Sequence, residues 1–223
     1  MSLQLNFHAL GVSDPLVEDL AKAGISIPTP IQVQAIPPAL AGRDVIGCAQ
    51  TGTGKTAAFV IPILERLAKL PKGEPQALIL APTRELALQI LVTIETLGRR
   101  RGISGTVIVG GADMQAQVRG LRQRPDILVA TPGRLLDHMW NGTVNLLPIK
   151  ILVLDEADRM LDMARGTTTL AKRDRQKALQ KQRLDEETKR ALRKAVKASR
   201  PSRSDGEDPD LAALRWGPQP PLF

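Results

Sequence analysis

At 223 residues and 43% hydrophobic content, the chain is long enough for one α/β domain with additional length. Its core must come from Leu, Ile, Val and Ala, because the aromatics are only Phe7, Phe59, Phe223, Trp140 and Trp216. A single cysteine, Cys48, excludes an intramolecular disulfide framework. With no charged-then-apolar leader and no run near ~18 apolar residues, a cytoplasmic chain without a membrane span is expected.

In chain order, Ser13 caps a helix that ends near Gly24, and Asp44 to Cys48 reads as the first strand. Gly54 opens a helix through Leu70, with a kink expected at Pro62. The second strand covers Ala77 to Ala81, and Thr83 starts the following helix. A third strand, Thr106 to Val109, leads to a helix beginning near Ala112. A fourth, Asp126 to Ala130, leads to one beginning near Thr131. The fifth, Ile149 to Leu154, ends in the run Asp155, Glu156, Ala157, Asp158. Short apolar strands alternating with helices predict a parallel sheet covered on both faces.

Beyond Met163 the composition changes. Met1 to Met163 carries 16 basic and 15 acidic side chains, and Ala164 to Phe223 carries 15 and 8, so the formal charge of +8 sits almost wholly in the tail. From Leu170 to Ala198 the pairs Asp185/Lys189 and Glu186/Arg190 predict an exposed helix, and from Arg200 onward the composition predicts disorder. The expected division is a lobe over residues 1–163 and a basic helical then disordered tail over 164–223. Such a tail attracts polyanions by counterion release, unless it is merely a solvated charged face.

Two stretches carry chemistry. In AQTGTGKT, Ala49 to Thr56, the residues Gln50, Thr51, Gly52, Thr53 and Gly54 turn successive backbone N–H groups around phosphate oxygens. Lys55 adds a point charge, and the Thr56 hydroxyl can ligate a metal. Ala49 stands where the general phosphate-loop pattern has glycine. A hundred positions on, Asp155 reaches the C-terminal end of a strand, where open α/β sheets bind ligands. It can hold a magnesium shell, and Glu156 can accept a proton from an attacking water. Alone, an Asp-Glu pair would read as a helix cap. With the phosphate loop upstream, it reads as the acidic half of a nucleoside triphosphate site.

The ordered motifs resemble the N-terminal RecA-like lobe of DEAD-box ATP-dependent RNA helicases. The resemblance spans Phe7 to Met163. It includes GISIPTPIQ ending at Gln32, AQTGTGKT, PTRELA from Pro82, the pair Gly110 and Gly111, TPGR from Thr131, and DEAD itself. It implies ATP and Mg2+ as cofactors, with Gln32 reading adenine, Phe7 stacking nearby, and Lys55, Asp155 and Glu156 as catalytic residues. It also implies an RNA sugar-phosphate backbone held by Pro82, Thr83, Arg84, Gly110, Gly111, Thr131, Pro132, Gly133 and Arg134. Loop amides, hydroxyls and arginine forks suit that task without reading bases.

After Arg159 to Met163 the sequence departs from the family, which continues with glycine and an aromatic where this chain reads ARGTTTLAKRD. No later segment forms an apolar strand ending in Ser-Ala-Thr, the element that couples hydrolysis to unwinding. Nor is there a second RecA-like lobe, whose arginines contribute ~10³ to 10⁵ in rate in related transfers. The missing strand would lie between the phosphate-loop strand and the strand bearing DEAD, so the sheet is expected to be incomplete, with exposed edges. The expectation is an ATP- and RNA-binding helicase lobe from a truncated or frame-disrupted gene, unable to unwind RNA unless a second lobe joins in trans. The alternatives are a nucleotide- and RNA-binding module without turnover, and a non-functional fragment. A nucleotide kinase or GTPase has no place for GISIPTPIQ or PTRELA.

Overall fold

The computed structural model describes residues 6–50, 52–166, Glu186 and Thr188. The chain divides after Gly166 into two units. In the second, Glu186 and Thr188 are helical and exposed. The rest of the predicted tail helix, and the segment from Arg200, lie outside the described residues.

The first unit opens with a 3-10 turn at His8–Leu10, followed by α1 (Asp14–Lys22), α2 (Pro30–Leu40) and α3 (Lys55–Leu67). Strand β1 (Ala77–Leu80) leads to α4 (Arg84–Gly98), β2 (Gly105–Ile108) to α5 (Met114–Arg122), and β3 (Ile127–Ala130) to α6 (Pro132–Trp140). β4 (Ile151–Leu154) leads to α7 (Ala157–Gly166). The strands form one parallel sheet in the order β2-β3-β1-β4, with Ala77 in register with both Ile127 and Ile151.

The period-2 alternation of strands divides the apolar residues between two faces. Ala77, Ile79, Ile127 and Val129 join Leu16, Ile61, Leu64 and Ile90 in the larger core. Leu78, Leu128 and Ala130 join Ile108 and Leu135 in a smaller one. The helices start where the sequence signals say. Ser13 is the N-cap of α1. The Thr83 hydroxyl accepts from Leu86 N at 3.2 Å to cap α4, and the Asp113 carboxylate accepts from Gln115 N and Ala116 N to cap α5.

Two elements differ from expectation. Helix α2 has no counterpart among the predicted elements, because Pro37 and Pro38 inside it speak against a helix. Its start is nonetheless signalled by Thr29-Pro30-x-Gln32, where Gln32 Oε1 accepts from Thr29 N at 2.9 Å. The predicted strand Asp44–Cys48 is not a strand, and Ile46 is 98% exposed. A strand exists only against a neighbour. Here β4 is the edge of the sheet, and no described residue pairs with its outer side. Leu152 and Leu154, on the face opposite the larger core, are more than half exposed. Among the described residues the DEAD strand therefore has an unpaired outer edge, as expected, but the strand foreseen on the far side of the gap is not formed.

Candidate functional site

Because all four strands run parallel, the segments leaving their C-terminal ends emerge along one rim of the sheet. Asp155 leaves β4, the Pro82–Arg84 segment leaves β1, Gly110 and Gly111 follow β2, and Thr131 to Arg134 follow β3.

The phosphate loop opens α3. Gly52 and Gly54 both have left-handed backbones, with φ of 80° and 86°. At Gly54 the need for glycine is doubled, since a Cβ there would lie 2.5 Å from Gln32 Nε2. Gln32 is 2% exposed, and its Nε2 donates to Gly54 O at 3.1 Å. Its two polar ends thus tie the start of α2 to the last glycine of the loop. Lys55 Nζ donates to Ala49 O at 2.8 Å, and Thr53 Oγ1 donates to Gln50 O at 2.7 Å, so the loop is braced across its own backbone. Gln50 is exposed and Thr56 half-buried, while Thr51 lies outside the described residues. Phe7 is 1% exposed and belongs to the larger core, so its ring is covered by protein rather than offered to a base.

Asp155 is buried, and its N–H donates to Leu80 O. Burial pushes its carboxyl above the usual carboxylate range. Lys55 opposes that shift and the neighbouring Glu156 charge adds to it. A carboxylate so placed gains most from a cation beside it. Glu156 holds a left-handed backbone at φ 51°, uncommon for a residue with a Cβ, and its Oε2 pairs with Arg159 Nη1 at 3.1 Å.

These residues fit nucleotide and metal chemically. Gly54 could not carry a side chain without displacing Gln32, as a backbone cradle requires. The Thr56 hydroxyl and Asp155 carboxylate are the hard oxygen donors that magnesium takes together with phosphate oxygens. Among the described residues no cluster of three or more His, Cys, Asp or Glu side chains could hold a metal ion. Any metal held by Thr56 and Asp155 would complete its shell with water or phosphate oxygens.

On the rest of the rim, Pro82 is buried, Thr83 is half-buried and Arg84 is exposed. Gly110 and Gly111 are exposed, and the ideal Cβ position at Gly111 lies 3.7 Å from Arg84 Nη1, which puts two of the predicted RNA elements side by side. Thr131 is the N-cap of α6, Pro132 fills its first turn, and Gly133 is exposed. Arg134 points along α6 toward α5. Its Nη1 lies 3.3 Å from Met114 Sδ, and its buried Nε makes no hydrogen bond but lies 3.9 Å from Asp137 Oδ2, an ion pair within α6. Sequence reasoning passed over His138 and Gln117, which are buried behind these loops. The only available signal was the spacing of His138 one helical turn beyond Arg134.

Residues 29–188 match the family model for the DEAD/DEAH box helicase, so the match continues past Met163 into the segment that departs from the usual family text. The ATP-dependent rRNA helicase rrp3 of Aspergillus terreus is 53% identical over 161 residues, covering 72% of this chain and 36% of that protein. RRP3 of Saccharomyces cerevisiae (strain ATCC 204508 / S288c), also named an ATP-dependent rRNA helicase, is 53% identical over 163 residues, covering 72% and 32%. Among solved structures, the RNA helicase Prp28 from Chaetomium thermophilum bound to ADP is similar with a TM-score of 0.67 at 41% identity. It covers 71% of this chain and 40% of that one. The chain spans about a third of the length of the curated relatives it matches. No helix among the described residues is long and apolar enough to cross a membrane. With PTRELA, the Gly110–Gly111 pair, TPGR and DEAD leaving one rim of a parallel sheet and a family match over well more than half its length, the chain belongs to the DEAD/DEAH box helicase family.

Proposed function

We propose that this chain is the ATP- and RNA-binding lobe of a DEAD-box-type ATP-dependent RNA helicase. The observation that carries the reading is the shared rim. The buried Asp155 and the three loops rich in Gly, Thr and Arg leave the C-terminal ends of one parallel sheet, and Lys55 of the phosphate loop lies close enough to Asp155 to oppose its upward pKa shift. A bound nucleotide's phosphates would be held by the amides of residues 50–54 and by Lys55. Magnesium, held by Thr56 and Asp155, would supply charge neutralisation at the phosphoryl group.

Within that arrangement Gln32 holds Gly54 in its left-handed turn, and its buried amide gives the loop a fixed floor. Glu156, next to Asp155, is the group that takes a proton from water. Its pairing with Arg159 orients the carboxylate. Arg84 and Arg134 supply positive charge to an RNA backbone, while exposed Gly110 and Gly111 allow close approach without a side chain in the way. Strand separation and efficient turnover would require a second RecA-like lobe working against this one. The relatives are named as ribosomal RNA helicases, which points to ribosomal RNA as the substrate class and shifts the expected place of action from the cytoplasm at large to wherever ribosomal RNA is handled.

Calorimetry tests the nucleotide half. The parent chain is expected to release heat on titration with magnesium-ATP. Lys55→Ala is expected to weaken binding about 100-fold or more, because it removes the one cation of the cradle. Equal affinity in the two proteins would refute the assignment of the phosphate site.

A further inference from the structure

Helices α5 and α6 each begin in a loop of the candidate RNA surface, and they meet through side chains on successive turns. Met114 and Gln117 of α5 face Arg134 and His138 of α6. His138 is fully buried and Gln117 is 8% exposed, so their polar atoms depend on one another. Gln117 Nε2 donates to Val109 O at 2.9 Å, and a carbonyl can only accept. The amide is thereby oriented with Oε1 toward His138 Nε2, 3.2 Å away, so that nitrogen must carry the hydrogen. Nδ1 lies 2.8 Å from the Thr143 hydroxyl, which also reaches the His138 carbonyl oxygen at 3.1 Å. The chain of bonds runs from Thr143 through His138 and Gln117 to Val109, the residue immediately before Gly110.

The glycine loop cannot fix itself. A Cβ at Gly110 would meet nothing within 4 Å, so the loop is held from its ends, by the Asp113 cap on one side and by the grip on Val109 O on the other. One turn before His138, Arg134 leaves the same side of α6. We propose that His138 and Gln117 are positioning residues that set the spacing between the Gly110–Gly111 loop and the Thr131–Arg134 turn, so that both meet one RNA backbone together. The proposal rests on the reading of those loops as RNA contacts. An apolar filler would keep the two helices packed, but it would leave Val109 O unpaired and the loop free to shift.

The test uses the full chain, a fluorescein-labelled oligouridine, and nitrogen-proton NMR of the glycine amides. Gln117→Met conserves volume and removes both bonds. It is expected to weaken oligouridine binding about tenfold, to shift the Gly110 and Gly111 resonances, and to leave Gly52, Gly54 and magnesium-ATP affinity unchanged. His138→Gln, which can offer an amide hydrogen near the Nε2 position, is expected to retain most of the affinity, and His138→Leu to lose it. Unchanged glycine resonances and unchanged RNA affinity in Gln117→Met would overturn the proposal and leave His138 as ordinary core. If the parent binds no oligouridine while Gly110 and Gly111 still shift in Gln117→Met, the spacing role stands and the RNA reading falls.

Discussion

The two ends of the candidate site are held differently. The loops after β1, β2 and β3 leave strands that are paired in the sheet, and β1 and β3 have neighbours on both sides. The phosphate loop leaves Asp44–Cys48, which pairs with nothing among the described residues, and its fixed points are Gln32 and the crossing bond from Lys55. A loop inherits its precision from the element behind it. On the side proposed for RNA that element is the sheet. On the side proposed for nucleotide it is α2 and the start of α3.

Hydrogen exchange gives the sharpest way to break this comparison. Amides of Ile79 and Val129 are expected to exchange at the rate of global unfolding, and those of Val45 to Cys48 about 10³-fold or more faster. Comparable protection in both would mean that Asp44–Cys48 is paired in solution. Next comes Gly54→Ala. The new Cβ would strike Gln32 Nε2 and stand in a left-handed backbone, costing about 1–2 kcal/mol. Magnesium-ATP affinity should fall about tenfold or more, while RNA affinity should hold. A matching fall in RNA affinity would show that the two ends are not held separately.

A smaller effect is expected at the paired end. Arg84→Ala should weaken RNA binding and reduce its salt slope by about one phosphate's worth, with nucleotide binding untouched. An unchanged slope would return Arg84 to the solvated surface. The smallest effect concerns pH. Burial, assisted by Arg134, holds the His138 imidazole below its ordinary value, with Asp137 opposing. The unfolded chain therefore takes up the proton first. The stability contributed by the neutral ring is present above about pH 6.5 and is lost as pH falls through the lower folded value. The melting temperature of the parent should drop between about pH 7 and about pH 5.5 by about 2 °C more than that of His138→Gln.

The sequence made the site easier to read than the fold that carries it. Gly54, Lys55 and Asp155 stand out because phosphate and metal chemistry admits few residue types at each place, whereas Arg84 and Gly111 are pointed to only by the order of motifs that resembles a family. Four strands were legible from short apolar runs, with ends within two residues of those observed. Asp44–Cys48 was misread because its composition favours a strand, while its neighbour, which composition cannot supply, decides the outcome. Helix α2 was hidden by its prolines. His138 and Gln117 escaped because a buried hydrogen-bond relay has no signature beyond one helical turn of spacing.

The left-handed backbone of Glu156 has a consequence for how this protein can change. A side chain in that conformation lies uphill by about 1 kcal/mol relative to glycine. Replacement by glycine would relax the main chain and sturdy the lobe while deleting the proposed proton acceptor. At this position robustness and chemistry pull against each other, and a drifting sequence freed from the need for turnover would slide toward the sturdier, silent form.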